Sequence, residues 1–288
     1  MIPIKTTKWL KPAALLLAAL LLLGGCTEAP DPGLTPLTVT ALRVGKADAL
    51  IVSTGSHTLL IDTGEEEDGA EITEYLQKRG ITSVDAMIIT HFDRDHVGGA
   101  ATVLAQIPVE AIYAPDYEGT RPEYRDFLQA AEAAGVPVTR LTENCSFRLG
   151  DAEVLIEPPA AGASSGETAE DDNNLSLITT IVHGENRFVF MGDAEKQRIR
   201  EWMDGGSAQP CDFLKVPHHG VYNKALKELL PVLKPEVSVI CSSRKHPAEP
   251  KTLELLRAFC PAIFETKDGD VLVISDGRKL EVQQKTKH

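Results

Sequence analysis

Basic residues are the minority in this 288-residue chain: 29 Lys and Arg face 42 Asp and Glu, a net charge of −13. A surface of that sign repels bulk nucleic acid and anionic headgroups unless a local site overrides the field. Long apolar runs are missing as well. The run Ala13–Leu23 has 11 residues, well short of the roughly 20 that a membrane-spanning helix needs. No internal repeat is present, which excludes a solenoid. The five cysteines, at 26, 145, 211, 241 and 260, match no thiolate metal motif; those of the body read as disulfide partners or as small buried thiols. The one low-complexity stretch of the body, Ala160–Thr168, reads as a surface loop. What remains, 43% hydrophobic with 22 Gly, suffices for the core of one large α/β domain.

The N-terminus has the pattern of an export signal. Lys5, Lys8 and Lys11 precede the Ala13–Leu23 run, and Gly24-Gly25-Cys26 follows it, as in a signal-peptide hydrophobic region. Leu23-Gly24-Gly25-Cys26 resembles the lipobox of bacterial lipoproteins, which implies removal of residues 1–25 and a diacylglycerol on Cys26. The body is then expected to be lipid-anchored at the extracytoplasmic face of the cell membrane. Residues 26–37, with Pro30, Pro32 and Pro36, read as a stiff tether, and residues 38–288 as the functional body. Without the leader, 26 basic residues face 42 acidic ones, a net charge of −16.

The densest chemistry is Thr90-His91-Phe92-Asp93-Arg94-Asp95-His96-Val97-Gly98-Gly99. Two imidazoles and two carboxylates occupy six positions directly after an apolar, strand-like run, and such a loop can aim nitrogen and oxygen donors at one divalent cation. Leu37–Val44, Ala49–Ser53 and Thr58–Ile61 read as preceding strands, and Ala70–Lys78 as a helix with Gly80 as its stop. Val84–Thr90 is the next strand and delivers His91 from its C-terminal end, where sites in α/β proteins sit. Gly98-Gly99 is expected to start a short helix to Gln106, with its first amides near the cluster and favourable for an anionic group.

A second constellation runs from Asp171 to Asp193. Strands Leu177–Val182 and Arg187–Met191 form a hairpin; pairing Val182 with Arg187 sets Asp193 opposite Ser176, so that Asn173 or Asn174 and Asp193 share one end of the ribbon. His183 falls at the other end, roughly 17–20 Å away, and is expected to be a turn residue. Asp193, after Gly192 and before the helix Ala194–Met203, is expected to be a ligand.

Asp212–Gly220 repeats the logic of the first motif, an apolar strand ending in His218-His219-Gly220. Neighbouring residues of an extended segment point opposite ways, so one imidazole can ligate while the other orients it or faces substrate. His246, before Pro247, follows strand Val237–Cys241. Pro122–Ala134, Lys224–Leu233 and Lys251–Phe259 are amphipathic helices with apolar core faces. Tyr113–Arg121 is a candidate substrate loop, and Val271–Ile274 with Lys279–Val282 a closing hairpin.

Together these segments resemble the metallo-β-lactamase superfamily, and within it the extracellular hydrolase domain of bacterial competence DNA-uptake channels and its stand-alone relatives. Carrying the resemblance are Val44–Asp48, Ile61-Asp62-Thr63-Gly64, His91–Gly99, Asn173–Leu177, Met191-Gly192-Asp193, Lys215–Gly220 and Asp270–Gly277. It implies a four-layer αβ/βα sandwich holding two divalent ions, zinc or manganese, at one edge between its sheets. By resemblance, His91 and Asp93 serve one metal, Asp95 and His96 the second, and Asp193 bridges them. His219, which directly precedes Gly, is the remaining ligand, with His218 the alternative. Asp93 stands where the superfamily more often has His; the added oxygen donor admits manganese beside zinc. Asn174 lies near the place of another missing His, and Gly45-Lys46-Ala47-Asp48 stands where this branch usually has Gly-Gln-Gly-Asp.

The activity implied is hydrolysis by metal-activated water, with Asp95 orienting the water and His246 or His218 as proton donor to the leaving group. A phosphodiester, small or polymeric, is the expected substrate; the charge of −16 disfavours a long nucleic acid. An amide or lactam hydrolase on the same fold is the alternative enzyme, and a non-catalytic metal- or ligand-binding lipoprotein the alternative class.

Overall fold

The computed structural model describes residues 33–160 and 172–286. The expected leader, Cys26, the start of the tether and nearly all of the Ala160–Thr168 loop lie outside the described residues.

The first half of the chain builds β1 (Leu37–Ala41), β2 (Leu50–Thr54), β3 (His57–Ile61), α1 (Asp68–Lys78), β4 (Val84–Ile88), α2 (Arg94–Val97), α3 (Ala100–Gln106), β5 (Val109–Pro115), α4 (Pro122–Ala134) and β6 (Val138–Leu141). The second half builds β7 (Cys145–Leu149), β8 (Ala152–Glu157), β9 (Ile178–His183), β10 (Asn186–Phe190), α5 (Lys196–Asp204), β11 (Phe213–Lys215), α6 (Leu226–Leu233), β12 (Val237–Ile240), α7 (Pro250–Phe259) and β13 (Ala262–Glu265). The closing strands β14 (Gly269–Ser275) and β15 (Leu280–Thr286) return to the first sheet. Spatial order is β15-β14-β1-β2-β3-β4-β5-β6 in one sheet and β13-β12-β11-β10-β9-β8-β7 in the other.

Three apolar layers separate four structural ones. Val39, Val52, Leu59 and Ile88 meet Val154, Ile181, Phe188 and Phe213 between the sheets. Leu60, Met87 and Ile89 pack outward under Ile72, Leu76, Val103 and Phe127 of α1, α3 and α4, while Val189, Leu214 and Ile240 pack under Ile199, Trp202, Leu229 and Leu256 of α5, α6 and α7. Strands sandwiched in this way are apolar on both faces, and the result is the expected αβ/βα sandwich.

Local chemistry explains the boundaries. Pro122 occupies the first turn of α4, where its missing N–H costs nothing, and Gly135 ends the helix at φ 72°. Asn223 Oδ1 accepts the N–H of Ala225 at 2.9 Å ahead of α6, which therefore starts two residues later than Lys224. The expected hairpin of β9 and β10 forms in the expected register, Val182 opposite Arg187. Three expectations change. Leu42–Val44 leave the sheet, with Leu42 N–H reaching Ala49 O at 3.0 Å, so the Leu42–Ala49 loop can carry Asp48 to the sandwich edge. Tyr113–Pro115 belong to β5 rather than to a loop, and Tyr113 stacks on Phe147 at 5.4 Å. Gly98 and Gly99 do not offer their amides to a ligand: these donate to Arg94 O at 3.0 Å and Gly64 O at 3.3 Å. The pair is glycine because α1 and α3 approach so closely that a methyl at Gly99 would overlap Thr63 O and the Gly69 backbone.

Candidate metal centre

Apart from Asn174, which lies ahead of β9, the candidate ligands leave the C-terminal end of a strand or its following loop at one edge of the sandwich: His91 to His96 after β4, Asp193 after β10, His218 and His219 after β11. The last two do not sit on an extended segment. His218, His219 and Gly220 are all left-handed, at φ 47°, 51° and 78°, a conformation that costs non-glycine residues energy and clusters at functional sites. The consequence differs from alternation, because both rings face one carboxylate: His219 Nε2 is 3.1 Å and His218 Nε2 3.9 Å from Asp193 Oδ2.

Three groups of donors form among the described residues; one is Asp48, Asp62 and His96, and the other two flank Asp193. One atom each of His91, His96 and Asp193 lie within 4.8 Å of one another, and so do one atom each of Asp95, His96 and His219. Asp193 lies between them, with Oδ1 3.3 Å from His96 Nε2 and Oδ2 toward His219. Asp93 Oδ2 is 3.8 Å from His91 Nε2, and its other oxygen is 3.1 Å from Arg121 Nε. Asp95 Oδ2 is 3.4 Å from His219 Nε2 and 3.7 Å from Lys46 Nζ.

The residues fit divalent cations on the structure's own terms. His91 Nε2, His96 Nε2, His219 Nε2 and Asp193 Oδ1 are buried and make no hydrogen bond. Buried polar atoms are normally satisfied, and four such donors converging from three segments fit a divalent cation. Electrostatics agree. Burial, reinforced by His96, holds the His91 imidazole well below its usual range, which leaves it a neutral donor. Burial opposes charge on His96, yet Asp193 and Asp62 outweigh it and hold that ring well above its usual range. Burial likewise opposes charge on Asp193 and Asp95, but His219 and His96 keep both carboxyls well below theirs. Both carboxyls are thereby ionised, the form in which they can ligate a cation.

Positioning residues surround the ligands. Asp62, itself left-handed at φ 58°, accepts the Thr90 N–H and hydroxyl at 2.7 Å each and lies 2.8 Å from His96 Nδ1. His219 Nδ1 lies 3.1 Å from Cys241 O. Lys215, fully buried, pairs with Asp48, donates to Gly192 O at 3.0 Å and stands 3.7 Å from Asp193 Oδ1. Asp48, Asp62 and Lys215 were legible only as pieces of family motifs: a lone buried Lys or Asp has no spacing signal, and their roles come from tertiary packing.

Two sequence-predicted residues sit elsewhere. Asn174 Oδ1 accepts the Arg198 N–H at 3.0 Å, so the oxygen expected at the metal is engaged by the first turn of α5. His183, expected to be a turn residue, is instead the buried last residue of β9, paired with Asn186 at the far end of the ribbon. His218 Nδ1 is 3.0 Å from Glu195 Oε1. His246 is exposed and lines a cleft of about 660 Å³ beside the centre, with Lys46, Arg94, Asp95, His219 and Lys245.

Comparison with known proteins agrees with this geometry. The profile described as the metallo-beta-lactamase superfamily matches residues 42–244. ComE operon protein 3 of Bacillus subtilis is 26% identical over 81% of this chain and 32% of its own length. Recombination protein 2 of Haemophilus influenzae is 27% identical over 85% of this chain and 30% of its own. The chain thus spans about a third of these curated relatives. Among solved structures, the metallo-beta-lactamase fold protein YhfI from Bacillus subtilis superposes with a TM-score of 0.56 at 9% identity, over 86% of this chain and 100% of that one. Among the described residues no helix is long and apolar enough to cross a membrane. With its profile matched across most of the sandwich and its donors gathered at the edge between the two sheets, the chain belongs to the metallo-beta-lactamase superfamily.

Proposed function

We propose that this protein is a metal-dependent phosphodiesterase, anchored through a lipidated Cys26 at the extracytoplasmic face of the membrane. The observation that carries the hydrolase reading is the set of four buried, hydrogen-bond-free donor atoms on His91, His96, His219 and Asp193. His91 and Asp93 would hold one ion, Asp95, His96 and His219 the other, with Asp193 shared. When bound, a pair of zinc or manganese ions lowers the pKa of a water and neutralises charge developing on the scissile group.

The chain's own residues do the rest. Asp62, accepting the hydrogen bond of His96 Nδ1, would keep Nε2 aimed inward, where a bound ion takes the place of its proton. Lys215 holds Asp48 and Asp193 in place from behind. Asp95, ionised and at the mouth, orients the attacking water. His246, exposed on the cleft wall, is the proton donor to the leaving oxygen that the geometry favours; His218 is turned toward Glu195 and Asp193. The phosphoester preference rests on the chemistry of paired cations, which neutralise the nonbridging oxygens of a phosphodiester; Lys46, Arg94 and Lys245 line the cleft beside Glu65, Asp95 and Glu249. The similarity to ComE operon protein 3 and Recombination protein 2 leaves a nucleic acid as one source of such an ester, and the body's charge favours a smaller one.

The leaderless protein, loaded with manganese or zinc, should hydrolyse bis(p-nitrophenyl) phosphate and lose that activity on chelation, while a chromogenic cephalosporin stays intact. Turnover of the cephalosporin alone would replace the phosphodiesterase reading with a lactamase. Tight stoichiometric metal binding with turnover of neither would replace it with a binding protein.

A further inference from the structure

The first described residues are fastened at one pole of the sandwich. Thr35 N–H donates to Asp151 Oδ2 at 2.8 Å; its carbonyl accepts from Thr54 Oγ1 at 3.2 Å and lies 3.0 Å from His183 Nε2. Leu34 lies over Gly184 and Gly277, where an added methyl would run into its Cδ1. His183 Nδ1 in turn meets Ser275 Oγ at 2.8 Å, and Ser275 donates to Asn186 Oδ1 at 2.8 Å. Strands from both sheets are thereby clamped around the entering chain. The turns β2–β3, β7–β8, β9–β10 and β14–β15 gather at this pole.

The metal centre is at the other pole. β3 and β10 begin beside Thr35's partners and end at Asp62 and Asp193. Strands of five residues separate the poles by at least about 17 Å.

We infer that the protein faces its membrane with the Thr35 pole and turns the metal cleft away, so that it acts on esters in the space beyond the bilayer and not on headgroups of the bilayer that holds it. This rests on the anchored-hydrolase reading above. Six residues, 27–32, link Cys26 to Gly33, seven Cα–Cα steps that covalent geometry limits to roughly 25 Å. To bring the cleft to the bilayer the link would have to run back along the whole strand length, which consumes at least about two thirds of that reach and conformational freedom with it. The Thr35 pole exposes Ser56, Arg148, Glu185, Asp276 and Lys279, a hydrated surface of mixed sign suited to lying against headgroups without inserting.

The test uses the full, lipidated chain in vesicles of phosphatidylethanolamine and phosphatidylglycerol that carry a headgroup nitroxide. A fluorophore is placed on Ser56→Cys or on Lys245→Cys, each in a Cys145→Ser background. Several-fold stronger quenching at position 56 than at 245 is the expected result. Equal quenching, or stronger quenching at 245, in protein that floats with the vesicles would overturn the orientation and leave the anchor standing. Protein that fails to float overturns the anchor reading and the orientation with it.

Discussion

Asp62 and His96 share one short contact, 2.8 Å from Oδ2 to Nδ1, with neither side chain open to solvent. It decides which face of the imidazole is available. A carboxylate receiving the Nδ1 proton leaves Nε2 as the donor, and Nε2 is the atom buried without a partner. Outer partners of this kind typically tune metal affinity by about 10- to 100-fold. Asp62→Asn, which preserves the shape but removes the charge, should weaken zinc binding by about that factor in a competition titration with a chromophoric chelator. An unchanged affinity would show that His96 needs no orienting charge.

Asp193 lies between the two donor groups, so its loss should reach both. Asp193→Ala should drop metal content by at least one ion per chain in elemental analysis and abolish phosphodiester hydrolysis, with the far-ultraviolet circular dichroism unchanged. His183→Gln is the contrast: a buried imidazole removed at the other pole should lower stability by about 1–3 kcal/mol through its lost hydrogen bonds without changing metal content. If Asp193→Ala retains both ions, the shared-ligand assignment fails.

Much of this site could be read before any coordinates, and the reason lies in how short its spacings are. His91, Asp93, Asp95 and His96 are neighbours in sequence, so their chemistry is local. Asp193 follows from hairpin register, since pairing Val182 with Arg187 across the turn at 183–186 fixes what stands opposite Ser176. The failures are tertiary. Nothing local says that Asn174 is claimed by Arg198 N–H, that Gly98 and Gly99 serve helix packing, or that His218 and His219 are both left-handed. Strands β5 to β8 and β13 escaped periodicity because several are short and half-exposed, as in Cys145–Leu149, where pairing rather than pattern defines the strand.

The start of α1 carries a pH response separate from the metal centre. Burial, assisted by neighbouring Glu67, Glu65 and Glu71, pushes the Asp68 carboxyl up to about 6 although the Glu65 N–H donates to it. A raised acid pKa means that the folded chain binds the proton more tightly than the unfolded one. That contribution to stability is fully present below the ordinary value of 3.8 and is lost as pH rises through about 6. Asp68→Asn should therefore gain stability over the parent as pH rises from about 4 to 7, read as the difference in urea midpoint. Comparing the two proteins at each pH cancels the titration of the metal ligands, which both contain. A difference independent of pH would mean that Asp68 titrates normally.

Lys215 poses the sharpest energetic question, because a buried ammonium is costly unless its partners remain. Burial opposes its charge, but Asp48 and Asp193 outweigh that and hold its pKa above the usual lysine range. In the metal-free protein this ammonium is a cation buried against those carboxylates, while Lys46 and Arg121 stand at the rim. Removing one partner of such a group leaves the other charge uncompensated, at a cost of about 3–5 kcal/mol. Lys215→Met keeps the length of the aliphatic stem and should destabilise the metal-free protein by about that amount in urea unfolding. Saturating zinc should then narrow the gap to the parent, because ions bound against Asp193 supply part of the missing positive charge and bind only the folded state. A Lys215→Met protein as stable as its parent without metal would overturn this account. In that case the raised lysine pKa reflects a contact the fold does not depend on.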